Sequence, residues 1–170
     1  MENRKWEMEI ISMKSEHWQA VRSIYEQGIA TGIATLSIEA PEWEEWNVSH
    51  LPHSRLVALE AGEVVGWAAL SPASGRCVYG GVGEVSVYIG ARHRGKGVGL
   101  ALLKTLILLS EQNGIWTLQS GIFARNIGSI RLHQKAGFQM LGTRKKLGKL
   151  KGVWEDIVLM EKRSEIVGID

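Results

Sequence analysis

The run Arg94-Gly95-Lys96-Gly97-Val98-Gly99 combines basic side chains with closely spaced glycines, between the alternating Glu84 to Ile89 and the apolar Leu100 to Leu109. It reads as a strand, a basic glycine turn and a helix. An anion on that turn would meet backbone N–H groups that have no intrahelical partner, the positive end of the helix dipole, and glycines that permit close approach. The segment is a candidate pyrophosphate cradle, the plainer alternative being a glycine turn that caps a core helix. A Walker loop needs Ser or Thr after its lysine, and Gly97 follows Lys96. A dinucleotide loop needs Gly-x-Gly-x-x-Gly with an acidic residue about 20 residues on, which also fits poorly.

Two further groups could do chemistry. Asn126, Ser129 and His133 recur at i, i+3 and i+7, so a helix would carry them on one face. Three polar residues in line suggest the wall of a cleft, although an N-cap, a small residue and a solvated histidine would give the same pattern. Glu84 opens the strand that leads into the glycine turn, after the flexible Gly80-Gly81-Val82-Gly83. A carboxylate there could face a reacting centre; an isolated glutamate is more often simply solvated.

The elements that must hold these residues follow from periodicity and punctuation. Trp6 to Ser12 reads as a first strand and Ser15 through about Ala30 as a helix, with Thr31 to Ala40 irregular. Pro41-Glu42-Trp43-Glu44-Glu45-Trp46 reads as a short helix with Pro41 at its first position, which Trp43 and Trp46 dock, the alternative being that they line a pocket. Leu56–Glu60 and Val64–Leu70 flank Ala61-Gly62-Glu63 as a hairpin. Ser71 to Gly83 is read as loop, Glu84–Ile89 as strand, and Gly97–Asn113 as a nearly fully buried helix closed by Gly114. Trp116–Ile122 is a further strand, and Asn126 caps a short helix ending at Gly137. Phe138–Thr143 and Val153–Met160 form the last strands around a Gly148 to Gly152 turn. The order is mixed α/β, with no repeat or linker.

At 170 residues, 45% hydrophobic and 22% charged, the chain can bury one full core. A net charge of +2 is too small and too dispersed for a nucleic-acid surface. The single cysteine, Cys77, excludes an internal disulfide and a cysteine-based zinc site. No apolar run has membrane-spanning length and Met1 to Trp6 lacks a signal-peptide core, so no membrane association and a cytoplasmic location are expected.

Taken together, these blocks resemble the GNAT superfamily of N-acetyltransferases, whose members hold acetyl-CoA on an Arg/Gln-x-x-Gly-x-Gly/Ala loop. Glu84-Val85-Ser86-Val87-Tyr88-Ile89, His133, Gly137-Phe138 and Trp154-Glu155-Asp156 resemble its phosphinothricin and L-amino acid acetyltransferase branch. So do Tyr25 to Ile29 and Thr35 to Glu39. The likeness runs from about Met8 to Arg163 and implies a single α/β GNAT domain over 1–170. That fold has a mixed, mostly antiparallel sheet of six to seven strands and about four helices.

The resemblance further implies acetyl transfer from acetyl-CoA to the α-amine of a small amino acid or analogue, of the phosphinothricin or methionine sulfoximine type, with no metal. Glu84 would be the general base, a contribution typically worth 10²–10⁴-fold. His133 would protonate the departing thiolate or share in deprotonation. Val87, Tyr88 and Ile89 would pair with the pantetheine arm, Val87 N–H also stabilising the oxyanion. Arg94, Gly95, Lys96, Gly97, Val98 and Gly99 would hold the pyrophosphate, and Asn126 with Ser129 the far side of the arm. Thr35, Leu36, Arg76, Tyr79, Lys149 and Trp154 would form the acceptor pocket, with Arg76 and Tyr79 on the substrate carboxylate. The branch implies a homodimer, and Leu108 between Lys104 and Glu111 hints at a partner surface. Alternatives are the same chemistry on a polyamine, aminoglycoside or protein N-terminus, or a non-catalytic acyl-CoA sensor.

Overall fold

The computed structural model describes residues 7–170. Its seven strands are β1 (Met8–Ser12), β2 (Arg55–Glu60), β3 (Glu63–Pro72), β4 (Val82–Ile89), β5 (Thr117–Phe123), β6 (Gln139–Leu150) and β7 (Val153–Arg163). The four α-helices are α1 (Trp18–Ala30), α2 (Trp43–Ser49), α3 (Val98–Gln112) and α4 (Ile127–Lys135). The strands form one sheet in the order β1-β2-β3-β4-β5-β7-β6, antiparallel at every junction except β4–β5. No helix among the described residues is long and apolar enough to cross a membrane.

Strand alternation sends side chains to two cores. On one face Leu102, Leu103 and Leu106 of α3 pack with Ala68, Leu70, Val85 and Leu118. On the other, Val21 and Ile24 of α1 and Trp46 of α2 pack with Val57, Trp67 and Ala69. Gly28 lies where α1 crosses β4: a Cβ there would come within 2.6 Å of the Tyr88 ring.

Several expected boundaries move, each for a reason in the pairing. The expected strand start at Trp6 lies outside the described residues. Ser15–His17 is a 3₁₀ turn ahead of α1. Pro41 precedes the helix, because Glu42 holds the N-cap with extended backbone. The expected loop Ser71 to Gly83 is shorter, since Pro72 pairs with Gly83 and Ser71 with Glu84. β6 runs through Gly148 to Leu150, and the turn is only Lys151-Gly152, both at positive φ (48° and 83°), as a tight hairpin turn requires. Helix α3 keeps an exposed stripe at Lys104, Leu108 and Gln112, one residue per turn, so its burial is less complete than its composition implies.

Gly81, just before β4, has no room for a side chain: an added Cβ would sit 2.0 Å from the Trp116 ring. Gly81→Ala is therefore expected to cost about 1–3 kcal/mol of stability by overpacking, read as a lower midpoint in chemical denaturation.

Candidate active site

The site begins where two strands separate. β4 and β5 are paired only at Val82–Thr117, Gly83–Leu118 and Glu84–Gln119. Beyond Glu84, β4 remains with β3 as far as Ile89 and β5 remains with β7 as far as Phe123, so a wedge opens between them. Its backbone orientation is set by parity. Gly90 N–H donates to Val65 O of β3 at 2.8 Å, so Tyr88 also addresses β3, and Val87 and Ile89 turn their N–H and C=O toward the open side. Apart from Ile89 O, which accepts from Arg94 Nε, these are unpaired strand groups, ready to bond an extended ligand carrying amides.

The wedge is continuous with a groove of about 530 Å³ that runs to the glycine turn. Gly95 and Gly97 stand at φ 74° and 87°, a conformation that would strain any residue with a Cβ. Gly97 is the N-cap of α3 and offers no side-chain cap, leaving the first N–H groups of the helix to a ligand. Arg94 Nε donates to Ile89 O at 3.2 Å, tying the turn to the strand. Arg94, Gly95, Gly97 and Gly99 line the groove, while Lys96 is exposed beside it and Val98 is buried, anchoring the helix.

At the wedge's inner end lies a cleft of about 430 Å³ that shares Val87, Tyr88, Asn126 and Ser129 with the groove. Glu84 stands in it half-buried, with Gln119 Nε2 donating to Oε2 at 3.2 Å. Asn126 caps α4 by accepting from Ser129 N at 3.2 Å, and its Nδ2 donates to Ile33 O at 3.2 Å. His133 is 1% exposed. Its Nδ1 lies 2.8 Å from Ser129 O, which can only accept, so Nδ1 carries the proton and Nε2 keeps a lone pair with no partner among the described residues. Burial lowers the His133 pKa, and the Ser129 bond only partly opposes this. Burial, with Tyr25 adding to it, pushes the Tyr88 phenol well above its usual range, so that wall stays neutral.

The Acetyltransferase (GNAT) family model matches residues 18–138. The chain belongs to this family. It is 31% identical over 159 residues to the phosphinothricin N-acetyltransferase of Alcaligenes faecalis, covering 88% of this chain and 79% of that one. It is 36% identical over 110 residues to the L-methionine sulfoximine/L-methionine sulfone acetyltransferase of Pseudomonas aeruginosa, 62% of each chain. Among solved structures, a GNAT superfamily phosphinothricin acetyltransferase from Sinorhizobium meliloti in complex with AcCoA matches with a TM-score of 0.82 at 26% identity, covering 96% of both chains.

In this GNAT acetyltransferase the expected acceptor residues divide. Thr35 and Leu36 line the cleft. Arg76 and Tyr79 do not: they lie exposed on the β3–β4 loop, with the Arg76 guanidinium 5.7 Å from the Tyr79 ring centre. Lys149 and Trp154 are paired across β6–β7, Lys149 Nζ 4.6 Å from the Trp154 ring centre, and also stand outside the lining. Among the lining residues that sequence reasoning did not assign to the site are Tyr25, Ser86, Gln119, Arg144 and Leu147. Gln119 had a usable signal in its place on the strand after the buried helix. Arg144 was visible only as part of a basic run.

Two adjacent acids of β7 hold both walls of the cleft. Buried Glu155 accepts from Arg125 Nε at 3.0 Å and Nη2 at 2.6 Å, and the same Nη2 donates to Gly32 O at 2.6 Å, securing the loop that carries Thr35 and Leu36. Arg125 keeps the Glu155 carboxyl below its ordinary pKa. Asp156 Oδ1 accepts from Lys146 N at 2.8 Å, where Lys146 at φ 51° forms the irregularity of β6 between Arg144 and Gly148. Glu155→Ala is expected to raise the acceptor KM several-fold while the acyl-donor KM stays within about twofold, measured by steady-state kinetics on both substrates.

Proposed function

We propose that the chain is an acetyl-CoA-dependent N-acetyltransferase that acetylates the α-amine of a small amino acid or analogue, the class to which phosphinothricin and methionine sulfoximine belong. The observation that carries this reading is the position of Glu84 at the vertex of the wedge. One way from it leads along free strand amides to an anion cradle; the other leads into a polar cleft. The named activities of the Alcaligenes and Pseudomonas relatives support the acceptor class.

The residues present fit acetyl-CoA. The open edges of Val87 and Ile89 suit the amides of a pantetheine arm, Asn126 and Ser129 face them from α4, and Arg94 to Gly99 with the α3 N-terminus suit a pyrophosphate. When bound, the thioester supplies an acyl carbon open to attack by an amine. An ammonium has no lone pair, so the amine must first be deprotonated. Glu84 takes that proton, held in orientation by the Gln119 amide. His133 has its Nδ1 proton committed to Ser129 and a lone pair at Nε2, which supports a share in deprotonation rather than the supply of a proton. With Arg76 and Tyr79 outside the cleft, Arg144 is the cation in its lining for an acceptor carboxylate.

An assay following thiol release from acetyl-CoA tests the reading, run across amino acids, methionine sulfoximine, phosphinothricin, polyamines and peptides. Glu84→Gln is expected to lower kcat by about tenfold or more near neutral pH, with acetyl-CoA affinity by calorimetry nearly unchanged. Unaltered turnover would remove Glu84 as the base. Arg144→Ala is expected to raise KM for carboxylate-bearing acceptors and to leave simple amines unaffected; an equal effect on both would defeat the carboxylate assignment.

A further inference from the structure

A second cavity adjoins the reaction cleft. It holds about 420 Å³, lies between α1, α2 and the sheet, and shares Tyr25 and Ser86 with the cleft. Ser86 stands two residues beyond Glu84 on the same face of β4, a step of about 7 Å. An acceptor with its amine at Glu84 can therefore extend its side chain past Ser86 into this cavity.

Two donors are left over in its lining. Trp46 of α2 and Trp67 of β3 are each 1% exposed, and neither indole N–H has an acceptor among the described residues. Buried donors are normally satisfied in native folds, so both call on a group that the chain does not supply. The ring faces are already covered. His50 stacks on Trp46 at 4.0 Å between ring centres, the Arg55 guanidinium lies 5.2 Å from the Trp46 ring centre, and Tyr88 stacks on Trp67 at 4.9 Å. What the two indoles present to the cavity is therefore edge, which carries the N–H and the positive rim of the ring. Such edges bind oxygen acceptors and not cations. With 5.7 Å between the two ring centres, one small group bearing two oxygens can meet both.

The other polar groups of the lining are occupied or remote from the indoles. Tyr25 donates to Ser37 Oγ at 3.3 Å, and Ser49 Oγ to Trp46 O at 3.0 Å. Glu42 is neutralised by Arg22, whose Nη1 lies 2.8 Å from both of its oxygens. Glu39 and Glu45 are exposed, so solvent screens their charge from the buried indole edges.

We infer that this cavity receives the side chain of the amino-acid acceptor and recognises oxygen bound to a tetrahedral sulfur or phosphorus, which accepts from the indole N–H groups of Trp46 and Trp67. The inference rests on the reading of Glu84 as base toward an α-amine. Sulfone, sulfoximine and phosphinate share this chemistry, since each sets an oxygen acceptor on a short aliphatic stem. A thioether offers none, and the two donors stay unpaired beside it.

Methionine sulfone and methionine provide the test, because they share the α-amine, the carboxylate and the stem and differ by two oxygens. Thiol release should give the sulfone a kcat/KM about tenfold or more above methionine. Trp67→Phe keeps an aromatic ring without the N–H and should reduce that ratio about fivefold or more, and Trp46→Phe should act in the same direction. In the wild-type chain with CoA present, two of the indole N–H resonances in the NMR spectrum should shift on adding methionine sulfone and stay in place on adding methionine. Acetylation of both amino acids with a ratio near one, a ratio that neither variant moves, or indole resonances that ignore the sulfone overturns the cavity assignment and leaves Glu84 as base. Absence of thiol release with every amino acid overturns the Glu84 reading and this inference with it.

Discussion

The whole candidate site depends on β4 and β5 ceasing to pair after Glu84 and Gln119. A parallel pair that continued would satisfy its own N–H and C=O groups and leave nothing for a ligand. Because the strands part, Val87 and Ile89 keep unpaired backbone groups in the interior of a folded sheet. The geometry is stable because each strand keeps its other partner: β3 for β4, and β7 for β5. The vertex is also the one place where a strand side chain can touch both halves of the wedge, and Glu84 occupies it.

The two sides of the vertex are built by different means. Toward the glycine turn, the candidate binding groups are backbone atoms and a helix terminus, and they need only φ values that glycine reaches without strain. Toward the acceptor, the walls are an irregular loop and an overhanging strand, neither with regular pairing at the cleft. Their positions come from β7, whose Glu155 secures the α1–α2 loop through Arg125 and whose Asp156 secures the irregular stretch of β6. Successive residues of a strand point to opposite faces, which lets neighbouring acids serve opposite walls.

The aromatic residues extend this division. Trp67 and Tyr88 stack beneath the cleft, nearly parallel at 4.9 Å between ring centres, and Tyr25 meets both edge-on. Trp46 carries the contact to α2. The packing that fixes α1 and α2 on the sheet therefore also forms the floor on which an acceptor would lie, and a change in acceptor class demands repacking of that layer.

The amino-acid sequence by itself determined the order of the elements and marked the candidate anion cradle. Alternation in Glu84 to Ile89, the glycines at 95 and 97, and the polar face of Asn126, Ser129 and His133 are local properties, and local sterics and hydrogen bonding suffice to read them. The acceptor side was decided by tertiary structure. Arg76 and Arg144 are alike as residues, yet only Arg144 reaches the cleft, because a bulge in β6 and its tie to Asp156 turn that strand toward it. Lys149 suggested a turn through the glycines at 148 and 152, but β6–β7 pairing carried it into a strand opposite Trp154 and left only Lys151-Gly152 as the turn. The burial of His133, its tautomer, and the cavity joining Glu39 and Glu45 to Trp46 and Trp67 arise between segments far apart in the chain. No local pattern encodes such meetings, because they are set by how the two faces of the sheet close over their helices.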